Sequence, residues 1–485
     1  MRLIKKVCSK NKEGLALVFI VLLAAFLRLY RLESLTNFLG EQGRDLLIAR
    51  EILKGKLTLL GPPTSISAVH FGPFYHYFNA FFLLLFGLDP LGPALGFAFL
   101  SIASCFFLYQ IGRIYGYPKA GLVSALLFAV SPLMVEHGRS IFNSYFITSF
   151  TIFAFWAAGK FFYQKKPFFL FLSGLFAGIA LQANFLALGA VLALGLIILG
   201  LRKHKTGVFW FVGLFLALLP YLLFELRHSF FNLKTFLALA KSGGAVSFSD
   251  FSVLIRFFSG FERAVWFSLV YNQPVWTKYL VIFLLLTGTG YFFFANPKDK
   301  FLKHNLFFLL AGLGVVSFYP GPMLVHYLGA IYPAVFLLAG YLAEKVINAR
   351  LGFLSCLLVI LLTIANLSKL NLSFSSALPR GWDLNGVRQA GRIISQDARG
   401  NFNVAALLDG DTRAYPYRYI IEVAGKKPLG VEEYPRADTL YVIARGEAEE
   451  VLSYPVWEIN TILPARVTQI WPVKNNISVF KLERL

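Results

Sequence analysis

The chain has 485 residues, of which 57% are hydrophobic and only 15% charged, with a mean hydropathy of +0.65. That balance excludes a purely soluble protein, because too few polar residues remain to cover the surface of one or two ordinary cores that would also have to hide 52 phenylalanines. The formal net charge of +21 lies in short clusters between apolar runs rather than in one patch, so it reports membrane topology and not nucleic-acid binding.

The N-terminal stretch is basic (Arg2, Lys5, Lys6, Lys10, Lys12) and leads into the apolar run Leu15 to Leu29. No small-residue cleavage site follows, which predicts an uncleaved first membrane helix over 14–31. A bilayer core takes about 20 apolar residues per helix. On that measure further spans are expected over 92–111, 119–134, 145–161, 167–184, 186–201, 207–224, 277–295, 304–319, 325–343 and 350–367, giving about eleven transmembrane helices.

Short loops rich in Lys and Arg stay cytoplasmic. Alternate loops carry them here: Arg113 with Lys119, Lys160 with Lys165 and Lys166, Arg202 with Lys203 and Lys205, Lys298 with Lys300 and Lys303, and Lys345 with Arg350. The N-terminus is then cytoplasmic, and residues 32–91, 135–144, 225–276, 320–324 and everything beyond 368 lie outside an inner (plasma) membrane. The apolar run Phe71 to Phe86 would invert every later loop if it crossed, so it is expected to be an interfacial or re-entrant helix. Val253 to Tyr271, with Arg256, Glu262 and Arg263 among aromatics, is likewise expected on the outer surface. Cys8, Cys105 and Cys356 sit in or beside predicted spans, and no structural disulfide is expected.

Beyond Ser368 the composition becomes that of ordinary soluble protein. Asn385 can cap a helix through Ser395, and Asn403 to Leu408, Thr439 to Ala444 and Ile477 to Leu482 read as strands. The expected fold class is therefore an all-α polytopic membrane protein over 1–367, with interfacial helices and a small C-terminal α/β soluble domain over 368–485.

Candidate chemistry lies in the outer loops. The first contains Phe38-Leu39-Gly40-Glu41-Gln42-Gly43-Arg44-Asp45 and then a short helix from Leu46 to Lys54. Glu41 and Asp45 are four apart and share a helix face if the helix starts early enough. A carboxylate just outside the bilayer can act as general base on an acceptor hydroxyl or hold a divalent cation. Helix capping with an Arg44 surface pair explains the same residues without chemistry. Gly61-Pro62-Pro63 and Gly72-Pro73 bracket a rigid loop before Tyr75 and His76, whose polar tips suit the headgroup level.

In the second outer loop Glu136, His137, Arg139 and Asn143 form a compact polar set that is costly between membrane helices unless solvated or used; interfacial anchoring is the plain alternative. The next loop opens with Glu225 and Arg227, whose planar fork can bind a phosphate, or which pair with each other or with His228. His326 and Tyr327 begin a late helix where a lipid phosphate could meet the protein, and an aromatic belt would look the same. Neither a P-loop nor a dinucleotide-binding glycine motif is present, and His and Cys spacing gives no zinc pattern, so no cofactor is assigned beyond the candidate divalent cation.

Taken together, Phe26-Leu27-Arg28-Leu29-Tyr30-Arg31-Leu32, the acidic loop helix Glu41 to Arg50, Gly72-Pro73-Phe74-Tyr75 before an interfacial helix, and Ser131-Pro132 before Glu136 to Asn143 resemble the GT-C glycosyltransferases. The likeness is to the protein O-mannosyltransferase and aminoarabinose transferase type, dolichyl-phosphate-mannose-protein mannosyltransferase-like, over roughly residues 14–345. The resemblance implies a cell-envelope enzyme that moves a sugar, with inversion, from a polyprenyl-phosphate donor in the membrane lipid to an acceptor glycan, lipid or protein outside. The family's catalytic aspartate falls on Glu41, one methylene longer, with Asp45 as the nearby substitute and Glu136 at the second acidic position. Arg139 and Arg227, then Arg44, would hold the charge that develops on the leaving phosphate. A transporter or flippase of lipid-linked sugars and a non-catalytic envelope assembly protein are the competing readings.

Overall fold

The structure is a computed structural model that describes residues 2–65, 69–200, 204–241, 250–319, 321–349, 352–375, 377–408 and 410–485. Helix dominates from the start. α1 (Arg2–Leu29) takes in the basic stretch and the apolar run; α2 (Leu32–Leu35) is a single turn entered through Arg31 at φ 50°; α3 spans Gly40–Leu53. The Gln42 side chain accepts the Leu39 N–H at 3.0 Å. That satisfies one of the donors a helix start leaves open, so α3 begins ahead of Leu46 and carries both Glu41 and Asp45. α4 (Phe74–Leu85) follows the Gly72-Pro73 turn.

Next come α5 (Leu91–Ile114), α6 (Pro118–Val130), α7 (Pro132–His137), α8 (Phe146–Gln164), α9 (Pro167–Ala183), α10 (Leu188–Leu199) and α11 (His204–Arg227). Proline in the first turn opens α6, α7 and α9, where its fixed φ and missing N–H are tolerated. Pro132 thereby splits the expected span 119–134 into α6 and α7. After α12 (Phe231–Lys241), α13 (Asp250–Leu269), α14 (Val275–Ala295) and α15 (Lys300–Ser317), α16 covers Tyr332–Ile347 and α17 covers Gly352–Leu367. The expected span 325–343 opens instead with the 3-10 turn Val325–Leu328, and α16 starts late because Pro333 fits only a first turn. Among the described residues four helical stretches are long and apolar enough to cross a membrane: Leu91–Ile114, Asn143–Gln164, Thr206–Arg227 and Val275–Ala295.

Small residues let the helices approach. A Cβ at Gly174 or Gly213 would fall on the backbone of Trp210 or Phe171, which sets α9 against α11, and one at Gly340 would meet Ala120 and Ser124, which sets α16 against α6. Such close crossings favour dispersion contact where lipid offers no hydrophobic drive between helices. Helix ends are tied by arginines: fully buried Arg28 donates to the Ala129 carbonyl at 2.9 Å and the Phe128 carbonyl at 3.3 Å, at the end of α6. These are the orphan carbonyls at the negative end of a helix.

The C-terminal part holds α18 (Leu384–Asp397), β1 (Phe402–Ala406), α19 (Tyr415–Val423), β2 (Thr439–Arg445), α20 (Ala448–Leu452), α21 (Trp457–Asn460), β3 (Ala465–Lys474) and β4 (Ile477–Arg484). The sheet runs β1-β2-β4-β3, with β1 parallel to β2 through the α19 crossover and the other pairs antiparallel. Asp383, rather than Asn385, caps α18, its carboxylate accepting the Gly386 N–H at 3.0 Å. β3 is absent from the sequence reading because it is a largely exposed edge strand interrupted by Pro472, which an edge alone accommodates. Asn475 and Asn476, both at positive φ, turn it into β4.

This sheet unit docks on the segment between α1 and α5. Arg388 of α18 pairs with Glu33 and Asp89, Arg50 of α3 pairs with Glu422 of α19 at 2.8 Å, and the Tyr419 hydroxyl donates to the Leu88 carbonyl at 2.7 Å.

Candidate active site

The site is built where α3 and α4 pack together. Asp45, on the inner side of α3, is 3% exposed and accepts from the Arg44 guanidinium at 2.9 Å. Burial outweighs that pairing and pushes its carboxyl up to about 7, since a low-dielectric setting disfavours the charged form. One turn earlier Glu41 is exposed, so two carboxylates on one helix face stand in different environments.

Facing them from α4 are Tyr75, His76 and Asn79, all buried. The Tyr75 hydroxyl, both His76 ring nitrogens and both ends of the Asn79 amide make no hydrogen bond of ordinary geometry among the described residues. Buried polar groups are nearly always bonded, and leaving one unsatisfied costs about 1–3 kcal/mol. A run of them beside a carboxyl is the signature of a site. Burial, reinforced by Arg44, holds the His76 imidazole down to about 3, so it is neutral and can both donate and accept.

α7 and the start of α8 close the same neighbourhood. His137 stacks on Tyr145 with ring centroids 3.8 Å apart, and burial, reinforced by His326, holds it well below the usual histidine range. His326 meets Phe142 edge to face at 5.1 Å. Glu41 acts electrostatically on Asp45, Tyr75 and Tyr145, and Glu136 acts on Tyr145 as well. The fold thus gathers Glu41, Arg44, Asp45, Tyr75, His76, Glu136, His137 and His326, drawn from four separate stretches of chain.

Other expected site residues are occupied elsewhere. Arg139 donates to the Leu27 carbonyl at 2.9 Å and the Asn371 carbonyl at 3.1 Å, so it ties the end of α1 to the irregular segment that follows α17; burial brings its guanidinium down to about 10, still charged at neutral pH. Asn143 donates to the Ala183 carbonyl at 2.8 Å. Glu225 pairs neither with Arg227 nor with His228; its carboxylate accepts the N–H groups of Asn232 and Leu233 and so caps α12. Arg227 stands exposed at the end of α11. Tyr327 meets Ser65 at 3.5 Å and the Tyr319 ring at 5.1 Å. Tyr145 also belongs to the cluster, and as one aromatic among many it carries no signal of its own in the sequence, whereas Asn79 stands with Tyr75 and His76 in the polar group expected at the headgroup level. Among the described residues no group of three His, Cys, Asp or Glu side chains could hold a metal ion.

Comparison with known proteins bears on part of the sequence and on the fold. Residues 70–230 match the model of the dolichyl-phosphate-mannose-protein mannosyltransferase family. ArnT from Cupriavidus metallidurans bound to undecaprenyl phosphate has a similar structure, with TM-score 0.57 and 11% identity over 96% of this chain and 97% of that one; the apo state gives 0.58 and 10% identity over 98% of each. The arabinofuranosyltransferase AftD from Mycobacteria gives 0.52 and 13% identity over 98% of this chain and 40% of its own. No curated protein matches in sequence. The chain therefore shares the fold of ArnT along its whole length, and one stretch of it matches the mannosyltransferase family model.

Proposed function

We propose that the protein is an inverting glycosyltransferase that moves a sugar from a polyprenyl-phosphate donor to an acceptor glycan, lipid or protein on the extracytoplasmic face of the inner membrane. The observation that carries this reading is the pair of carboxylates on α3, one exposed and one buried and raised to about 7, set against the buried polar side chains of Tyr75, His76 and Asn79. Glu41 is reachable by substrate and takes the acceptor's proton as general base. Asp45, paired with Arg44, is a positioning residue that aims the guanidinium at the leaving phosphate, which needs a cation and no acid. Tyr75, His76 and Asn79 offer neutral donors and acceptors to sugar hydroxyls, and Glu136 and His137 line the far side.

The same reading gives residues 1–367 about eleven spans, a cytoplasmic N-terminus, and an extracytoplasmic unit over 368–485. Its support is that basic loops far apart in sequence meet at one end of the bundle: Lys119 donates to Asn348, and Lys345 to Tyr117. The test is turnover. Purified protein given a polyprenyl-phosphate sugar should release polyprenyl phosphate, and Glu41→Gln should lower kcat by about a hundredfold or more, the usual weight of a general base. Unchanged release by the Glu41→Gln, Asp45→Asn double variant removes the assigned chemistry.

A further inference from the structure

At the end of the bundle where the basic loops meet lies a cavity of about 530 Å³, walled by Tyr115, Tyr117 and Tyr163 and rimmed by Lys298, Lys300 and Lys345. None of these residues belongs to the α3–α4 site. Lys345 is sunk into the wall, its ammonium over the rings of Tyr117 at 4.7 Å and Tyr341 at 5.0 Å and 3.6 Å from Asp299. Asp299 is itself fully engaged: one oxygen accepts the hydroxyls of Tyr117 at 2.6 Å and Tyr341 at 2.8 Å, and the other caps α15 through the N–H groups of Phe301 and Leu302. It anchors Lys345 and balances that one charge, which leaves Lys298 and Lys300 as a net positive rim. Lys298 and Lys300 are exposed and form no ion pair among the described residues.

An aromatic wall with an unneutralised cationic rim suits one ligand chemistry, an anionic headgroup on an apolar stem. Lysine binds phosphate as a point charge, tyrosine bodies pack against hydrocarbon and glycerol while their hydroxyls stay polar, and basic clusters at a membrane surface attract anionic lipid. We propose that this cavity binds a phosphate ester headgroup, carried by a membrane lipid or free in solution. The placement at the inner water interface rests on the topology proposed above; the cavity itself does not.

Delipidated full-length protein in detergent is titrated with phosphatidylglycerol, phosphatidylcholine and glycerol 1-phosphate and followed by native mass spectrometry. Phosphatidylglycerol should bind at least about tenfold more tightly than phosphatidylcholine, and Lys298→Glu with Lys300→Glu should erase that preference. Lys165→Glu with Lys166→Glu makes the same charge change on exposed residues that do not line the cavity and should leave the preference intact. Glycerol 1-phosphate binding with the same sensitivity to Lys298 and Lys300 identifies a soluble ester as sufficient; binding by the lipid alone identifies the stem as required. Equal loss from both lysine pairs, or no preference for the anionic lipid, overturns the proposal. Sugar release measured on the same preparations separates the two readings: a silent enzyme that keeps the preference removes the transferase, and an active one without it removes the cavity.

Discussion

Asp45 and Arg44 show how burial turns a surface-type pair into a titrating device. With the Asp45 carboxyl raised to about 7, the pair is ionised above that pH and broken by protonation below it, so donor turnover should rise through about pH 7 and the limb should vanish in Asp45→Asn; a profile identical in both proteins would detach Asp45 from the reaction. Stability runs the other way. A carboxyl whose folded value lies above its unfolded value of 3.8 contributes most below that value, and the contribution is lost as pH climbs to about 7. Asp45→Asn should therefore melt higher than the parent at pH 8, with the gap narrowing as pH falls through about 7 towards 5, as thermal scans in detergent would reveal. Arg139 makes the opposite case. Its donors serve backbone carbonyls at the end of α1, so Arg139→Ala should cost about 1.5–3 kcal/mol of stability per charged hydrogen bond lost while leaving the KM for donor within about twofold, since uniform binding is what KM reports. A large rise in KM without loss of stability would return Arg139 to the phosphate.

Among the elements, α3 matters most, and it is held from both sides. α4 covers the face with Asp45, and α19 of the sheet unit covers another, where Gly43 packs so closely on Tyr415 and Pro416 that a Cβ there would overlap their backbone. The neighbouring Arg50 clamps both the side chain and the carbonyl of Glu422, at 2.8 and 2.7 Å. Gly43→Val should force the two helices apart and destabilise by about 1–3 kcal/mol, as overpacking does, and should lower kcat because α3 carries the carboxylates. A variant that melts normally and turns over normally would show that α19 is a passenger. From spacing alone Glu41 and Asp45 share a helix face only if the helix starts before Leu46, and the Gln42 bond to the Leu39 N–H provides that start. Their separation into a wet and a dry carboxylate was not readable from spacing, because that depends on α4 and α19.

For the whole molecule the question is which end faces which compartment. Charge clusters gave the expected alternation, and the structure brings the loops around Lys119, Lys345 and Asn348 together at one end. A cysteine at Lys166 should react with an impermeant maleimide only from the cytoplasmic side, and one at Lys426 only from outside. Labelling of both from one side would invert or collapse the topology.

What the sequence by itself determined is what local composition and period control: a helical, lipid-compatible bundle, most of the individual helices, three of the four strands, and the polar segments that hold the candidate site. Apolar excess and the positions of Pro and Gly are written along the chain, so they can be read there. Tertiary structure alone decided the rest. Arg139 meets a carbonyl 112 residues away, Glu225 caps the following helix, Tyr145 stacks on His137, and Asp45 is buried beside Arg44 and Tyr75. In each case the meaning of a polar side chain depends on a partner supplied by another segment, and no property of the residue itself records it.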